Sequence, residues 1–320
     1  MAHTRNCFIS VIGVVGKPEQ LPLLPAYLTG LCRELSASFA DYEVILVNNL
    51  PLQGEIEQAV APLPEEMRQS VFLINLSSTV NKNHAIMAGL ERANGDYSAI
   101  FEFLFLEQPA LVTALYDKSQ EGFDIVYLRA PRRETRGPGA LFYRLFYYIL
   151  RHYSDLKVDE KAHDTRLISR RALNSMLRLR ENLRYMKAIY AMIGYRTEAL
   201  PVDEPLHRDR DRFSDQFRTS LLAITSYTSF LRTLLLWIFL FSLFFLGLVV
   251  FNAVKVKLTN VDLLGNYHQT VSGWTFLVVL ISIFFAITCL NLYIMSIYLS
   301  NIYNEIKQRP LYIIESVKRF

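Results

Sequence analysis

Two long stretches of this 320-residue chain carry no charge, Leu234 to Phe251 and Val271 to Leu299. At about 1.5 Å per helical residue the first spans roughly 27 Å and the second more, against a hydrocarbon core of about 30 Å. Hydrophobic residues make up 52% of the chain. Mean hydropathy is +0.19, high for a wholly soluble protein, and the excess sits after residue 233. Two membrane spans are therefore predicted, with a buried hairpin of core helices as the alternative.

The basic residues set an orientation. Arg208, Arg210, Arg212, Arg218 and Arg232 precede the first stretch, and Lys307, Arg309, Lys318 and Arg319 follow the second. Only Lys255 and Lys257 lie between. The positive-inside rule then places both termini in the cytoplasm of a multi-pass protein of the cytoplasmic (inner) membrane. The net charge of +4 is modest. Much of it flanks the apolar stretches, which favours anionic lipid headgroups over nucleic acid as a partner. Cys7, Cys32 and Cys289 are odd in number and lack metal spacing, as in a reduced cytoplasmic domain without disulfides. The run Cys7 to Val15 after Arg5 is short, is followed by Pro18 and lacks a cleavage site, so it reads as a buried strand rather than a signal peptide.

Ahead of the membrane stretches the pattern alternates. Strands are predicted over Phe8–Val15, Tyr42–Val47, Val71–Leu76, Tyr97–Phe105 and Asp124–Leu128. Helical segments are predicted over Leu21–Ser38, Glu55–Val60, His84–Ala93 and Ala110–Gln120. This rhythm predicts an α/β layer on a mainly parallel sheet, with ligands at the carboxyl ends of strands, where Asn48, Asn49 and Glu102 fall. Two further stretches, 141–153 and 213–232, mix aromatic and aliphatic residues with arginine and read as amphipathic helices at the membrane surface. Ordinary amphipathic core helices are the alternative. The expected organisation is a domain over 1–212 that includes the first amphipathic helix, the second amphipathic helix over 213–232, two membrane helices over 233–300, and a cytoplasmic tail over 301–320.

Several short runs carry a family resemblance. They are Ala85-Ile86-Met87-Ala88-Gly89-Leu90 followed by Gly95-Asp96, Asp164-Thr165-Arg166-Leu167-Ile168-Ser169-Arg170, and the tail Glu305-Ile306-Lys307-Gln308-Arg309-Pro310-Leu311-Tyr312. Each is weak alone, but in this order and spacing the chain resembles the polyprenyl-phosphate glycosyltransferases of glycosyltransferase family 2 over nearly its whole length. These include dolichol-phosphate mannose synthase and the bacterial undecaprenyl-phosphate sugar transferases. The resemblance implies a GT-A-like domain with two interfacial helices, two C-terminal membrane helices and a cytoplasmic tail. It also implies transfer of a sugar from a nucleotide-sugar to a membrane isoprenoid phosphate, with Mg²⁺ or Mn²⁺ on the donor diphosphate.

The chain departs from that family where the donor binds. Where the family presents Asp-x-Asp-x-Gln, this sequence has Glu102, Leu104 and Leu106; Asp-Asp becomes Asn48-Asn49. The family's Pro-x-Tyr-Asn-Glu becomes Gly13-Val14-Val15-Gly16-Lys17, and its Asn-x-Gly-Lys keeps only Lys82. The resemblance implies donor contacts at Asn48, Asn49, Lys82 and Glu102. It implies a candidate catalytic carboxylate at Asp164, and acceptor-phosphate contacts at Arg132, Arg133 and Arg136, where guanidinium groups suit phosphate. A turn or helix cap at Asp164 and a solvated basic loop at the arginines are the structural alternatives. His84 and His163 lack partners at ligand spacing and read as core or surface histidines. The charged loop over 207–215 orders over a diphosphate or pairs its own Arg and Asp residues.

With Glu102 the one carboxylate left on the metal strand, no metal and no cofactor are expected. Two function classes follow. One is a non-catalytic relative, homo-oligomeric or complexed with an active glycosyltransferase in a cell-surface glycan or lipid-linked sugar pathway, with polyprenyl phosphate or other membrane lipid as its ligand. The other is an atypical active transferase, using Mg²⁺ or Mn²⁺ at Glu102, or Lys17, Lys82 and Arg210 instead of metal.

Overall fold

The computed structural model describes residues 5–51, 53–132, 139–154, 158–179, 186–206, 224, 228, 230–261, 263, 265, 267, 274–307 and 312–320. Arg133, Arg136, the charged loop 207–215 and most of the stretch 213–232 lie outside the described residues. The chain forms two compact units: residues 1–143, 156–211 and 308–320 make one, and 144–155 with 212–307 the other.

The first unit is built on strands β1 (Arg5–Val15), β2 (Phe39–Asn48), β3 (Val71–Leu76), β4 (Tyr97–Ile100), β5 (Ile125–Arg129), β6 (Ala162–Ser169), β7 (Thr197–Pro201) and β8 (Ile314–Arg319). Their order across the sheet is β7-β5-β6-β4-β1-β2-β3-β8. β4, β1, β2 and β3 run parallel. β6 lies antiparallel between β4 and β5, and β8 lies antiparallel on β3. Strands covered on both faces read as near-continuous apolar runs. In β2, Val44 and Leu46 enter one core while Ile45 and Val47 enter the other. The first core is closed by α1 (Leu24–Ser38), α2 (Gln53–Val60) and α5 (Ala110–Ser119). The second is closed by α4 (Lys82–Arg92), α7 (Arg170–Arg178) and α8 (Met186–Met192). The short α3 (Glu65–Arg68) leads into β3. On α1, Leu24, Leu28, Leu31 and Leu35 recur on one face and are fully buried or nearly so, each contributing about 1.5–3 kcal/mol of apolar burial.

Within the runs that carry the resemblance, Gly89, Gly95, Asp96 and Arg170 serve as scaffold. A Cβ on Gly89 would sit 2.4 Å from Ile12 Cγ2, and one on Gly95 would sit 2.7 Å from Ser10 N. Only glycine lets α4 lie so close on β1. Asp96 accepts a hydrogen bond from Phe8 N at 3.0 Å, and Arg170 Nη1 donates to Ala93 O at 3.0 Å.

Two local expectations differ. The strand predicted over Tyr97–Phe105 stops at Ile100, and Phe103–Phe105 forms a 3₁₀ turn. Its reason is polar: Glu102 turns inward onto the β6 backbone, and Phe105 N donates back to Glu102 O at 3.1 Å. Within 301–320, expected as a cytoplasmic tail, Ile314–Arg319 form the edge strand β8.

The second unit holds α9 (Phe230–Thr259), α10 (Trp274–Lys307) and most of α6 (Gly139–His152). Among the described residues one helical window, Ile283–Ser300, is long and apolar enough to cross a membrane, with a mean hydropathy of 1.8, and a shorter apolar window covers Thr233–Leu248. The two helices meet at Phe245 and Phe284, whose ring centroids are 6.2 Å apart. Trp237, Phe241 and Phe244 are exposed. α6 buries Phe146, Ile149 and Leu150 and exposes Leu145, Tyr148 and Arg151.

Candidate functional site

The switch point of the sheet lies where β1 takes β2 on one side and β4 on the other. The carboxyl ends of parallel strands at such a point form the crevice in which α/β folds hold ligands. Glu102 stands just beyond β4. The β4–β6 register pairs Ile100 with Arg166, and continuing it brings Glu102 opposite Asp164.

Glu102 Oε2 accepts three hydrogen bonds, from Asp164 N at 2.9 Å, Thr165 N at 3.0 Å and Thr165 Oγ1 at 3.2 Å. Its own N–H donates to Thr165 Oγ1 at 3.1 Å. Its other oxygen, Oε1, accepts from Lys82 Nζ at 2.9 Å. The same ammonium lies 2.7 Å from Asp164 Oδ2. The Lys82 side chain is 47% exposed, while the two carboxylate side chains are 19% and 23% exposed. A cation thus bridges two carboxylates from different elements.

The charges respond to one another. Burial alone would push the Asp164 carboxyl up, but Lys82, Lys187 and Arg166 override it and hold it well below the usual carboxylate range. Burial pulls the Lys82 ammonium down, and Asp164 with Glu102 more than reverses this, holding it well above the ordinary lysine value. His163 is 1% exposed. Burial pushes its pKa down, and its Nε2 lies 3.2 Å from Glu204 O. Behind the site Arg166 stacks on Tyr190, with its guanidinium carbon 3.8 Å from the ring centroid. It also donates to His163 O at 2.7 Å and Asp164 O at 3.2 Å.

The asparagine pair is used by the scaffold. Asn49 Nδ2 donates to Val80 O at 2.8 Å while its Oδ1 accepts from Val80 N at 2.8 Å. Asn48 Nδ2 donates to Asn75 Oδ1 at 2.9 Å, and its Oδ1 accepts from Leu50 N at 2.9 Å. Asn75 continues the chain by donating to Ser316 Oγ on β8 at 3.0 Å. Each amide acts as both donor and acceptor, which a carboxylate cannot do.

The structure therefore brings Lys82, Glu102 and Asp164 together and pins the loop after β2 with Asn48 and Asn49. Arg132 is exposed at the end of the segment after β5, where its carbonyl accepts from Leu206 N. Sequence reading missed Thr165, which lies inside a quoted run, and Tyr27, whose hydroxyl donates to Phe101 O at 2.7 Å and whose ring stacks 4.2 Å from Phe103. It also missed Lys187, for which no sequence pattern gives a signal. A separate cleft of about 430 Å³ opens at the amino end of β4, lined by Asp96, Gln120 and Asp124. Asp124 is already paired with Arg171 and Ser169 there.

The described residues do not by themselves fit a divalent cation. Among the described residues no three His, Cys, Asp or Glu side chains are grouped to hold one. Leu104 is exposed where an oxygen ligand would be required, Leu106 is apolar, and Lys82 already fills the space between the two carboxylates.

No protein-family model matches the chain. The chain is 28% identical over 284 residues to the uncharacterized glycosyltransferase sll0501 of Synechocystis, a match that covers 86% of this chain and 85% of that protein. It is 24% identical to the uncharacterized glycosyltransferase YkcC of Bacillus subtilis, over 86% of this chain and 84% of the other. It is 27% identical to a prophage bactoprenol glucosyl transferase homolog of Escherichia coli, over 97% of this chain and 98% of the other. Among solved structures, the mannosyltransferase PcManGT of Pyrobaculum calidifontis, in complex with GDP-Man and Mn²⁺, is similar over 70% of this chain and 65% of its own, at 15% identity and a TM-score of 0.43. The chain is thus a homologue of proteins named as glycosyltransferases.

Proposed function

We propose that this protein is a membrane-embedded relative of the polyprenyl-phosphate sugar transferases that does not carry out metal-assisted transfer, and that it serves as a non-catalytic partner in a lipid-linked sugar or cell-surface glycan pathway. One observation carries the reading. Glu102, the single carboxylate remaining on the metal strand, spends one oxygen on the β6 backbone and the other on Lys82. A diphosphate leaving group needs cationic charge that grows in value as the bond breaks. Here the cation is already neutralised by two carboxylates, so the trio is net negative.

Membrane anchoring is supported by connectivity. Chain leaves the first unit near residue 211 and returns to it at 308, where β8 joins the sheet. A segment that departs from and returns to one body on one side of a bilayer crosses an even number of times. The apolar windows in α9 and α10 accordingly act as a pair, with both termini in the cytoplasm by the distribution of Lys and Arg. The exposed aromatic and basic face of α6 suits the headgroup plane. Arg132, with Arg133 and Arg136, is the proposed contact for polyprenyl phosphate, and a homo-oligomer or a complex with an active transferase is the proposed assembly.

A second reading is metal-independent transfer, favoured by the presence of Lys82 itself as a fixed cation at the strand end. The test is direct. Full-length protein in detergent is incubated with polyprenyl phosphate and a panel of nucleotide-sugars, with Mn²⁺ or with EDTA. No sugar-linked lipid is expected in either condition. Product in EDTA would establish the second reading, and product only with Mn²⁺ would overturn both.

A further inference from the structure

We infer that the cleft at the amino end of β4 is a second binding site, separate from the Lys82 crevice, and that its ligand is a neutral polyhydroxylated ring, a single sugar residue. The inference holds whether or not the protein transfers a sugar at the other end of the sheet. Asp96 leads into β4, Asp124 leads into β5, and Ser169 ends β6, which runs antiparallel to both. The cleft volume of about 430 Å³ falls within the range of small-molecule pockets, roughly 300–1,000 Å³.

Four side chains in the lining are built alike. Each is tied to the protein by one polar group and leaves another unspent. Asp96 Oδ2 accepts from Phe8 N at 3.0 Å, and its Oδ1 has no partner among the described residues. Gln120 Nε2 donates to Tyr97 Oη and to Ser119 Oγ, each at 3.2 Å, and leaves Oε1. Tyr97 Oη accepts that bond and keeps its own proton to donate. Arg171 gives Nε and Nη2 to Asp124 and leaves Nη1. Asp124 is 4% exposed and is itself held by Ser169 Oγ at 2.8 Å. The unspent set is thus two acceptors, on Asp96 and Gln120, and two donors, on Tyr97 and Arg171. That mixture selects the ligand. A phosphate or carboxylate that met Arg171 would face the Asp96 carboxylate. An ammonium that met Asp96 would face the Arg171 guanidinium. An apolar group would leave all four stranded. A hydroxyl both donates and accepts, so neighbouring hydroxyls on one sugar ring satisfy the carboxylate, amide, phenol and guanidinium together. The side chains are already held in place, so binding costs little ordering entropy.

The full chain, in a detergent without a sugar headgroup, is titrated with glucose, mannose and N-acetylglucosamine and followed by saturation-transfer NMR. Arginine and inorganic phosphate serve as the charged probes. At least one of the sugars is expected to bind in the millimolar range, and neither charged probe is. Tyr97→Phe and Gln120→Leu each delete one unspent group. Each should keep the wild-type melting temperature and weaken sugar binding about two- to tenfold, the worth of one neutral hydrogen bond. The double variant should lose more than either single one. UDP-glucose separates a free sugar from the sugar of a nucleotide-sugar. Binding through this cleft is lost in the double variant, whereas binding through the strand-end crevice survives it and is displaced by UDP alone. The inference is overturned if no sugar in the panel binds at tens of millimolar, or if binding is unchanged in the folded double variant. It is equally overturned if arginine or phosphate takes the cleft and loses it in the variants. Should the double variant fail to fold, Tyr97→Phe, which removes a single oxygen, decides by the same readout. Sugar transfer by wild type in EDTA would remove the non-catalytic reading and leave this site standing.

Discussion

Asn49 is bonded twice to one backbone residue, Val80, and that backbone cannot turn over to suit a different side chain. Asn49→Asp, which puts the family carboxylate back, therefore loses one donor and sets an anion against the Val80 carbonyl. A loss of about 1–3 kcal/mol is expected, read as a lower chemical-denaturation midpoint with no gain in nucleotide binding. A more stable Asn49→Asp protein would contradict the scaffold role. The charged trio makes its own prediction with pH. Asp164 is depressed in the folded state, so its contribution is complete above its unfolded value of about 3.9 and is lost as pH falls toward the folded value. His163, also depressed, adds a loss that begins as pH falls below about 6.5, because the unfolded chain takes the proton more readily. Lys82 is raised, so its contribution is complete below about pH 10.4 and is lost only as pH rises through its higher folded value. Denaturation midpoints should form a plateau between about pH 7 and 10 and fall on the acid side in two stages. His163→Phe should remove the first stage and leave the second. At this scale the sequence displayed the altered residues, Glu102, Leu104 and the Asn48-Asn49 pair. It did not display their partners, because Thr165 and Asn75 meet them through sheet register and Val80 through the loop after β3.

The elements that could be read in advance were those whose burial repeats along the chain. Val71–Leu76 is a strand with the bounds its apolar run predicts, and α5 ends one residue short of its expected end. β6 and β8 were not legible as strands. β6 carries His163, Asp164 and Arg166 in its interior, polar residues that are bearable there because His163 meets Glu204 O, Asp164 meets Lys82 of α4 and Arg166 stacks on Tyr190 of α8. β8, Ile-Glu-Ser-Val-Lys-Arg, mixes charged and apolar groups without a period of two on an exposed edge, a pattern equally compatible with a solvated tail. Its place is set by contacts distant in sequence: Lys318 Nζ bonds Glu57, Arg319 Nε donates to Gln69 O at 2.9 Å, and Ser316 takes Asn75. Deleting 312–320 should uncover the β3 edge and leave the Asn75 amide without Ser316, at a cost of roughly 2–3 kcal/mol. The expected signs are a lower melting temperature and more aggregate in light scattering. An unchanged protein would mean that β8 lies on the sheet without supporting it.

For the molecule as a whole, the even-crossing argument predicts opposite sides for two exposed positions. In a Cys289→Ser background, a membrane-impermeant thiol reagent added to intact cells should label Tyr267→Cys and should spare Glu315→Cys until the cells are opened; the native Cys7 and Cys32 are buried, while Cys289 is exposed. Equal labelling of both sites before lysis would remove the paired-span topology. The same connectivity sets a schedule for synthesis. The outer edge of β3 is complete at Leu76, and the strand that covers it begins at Ile314, roughly 240 residues later. At about 5–20 residues per second, that edge waits on the order of 10–50 s on the ribosome. During this interval α9 and α10 emerge, and on the proposed topology both are inserted. A chain stalled or misrouted within either helix never delivers β8 and releases a body with an open edge. On the proposed topology, faulty membrane insertion would show as insolubility of the first unit, and pairing of β8 on β3 would report that insertion had been completed.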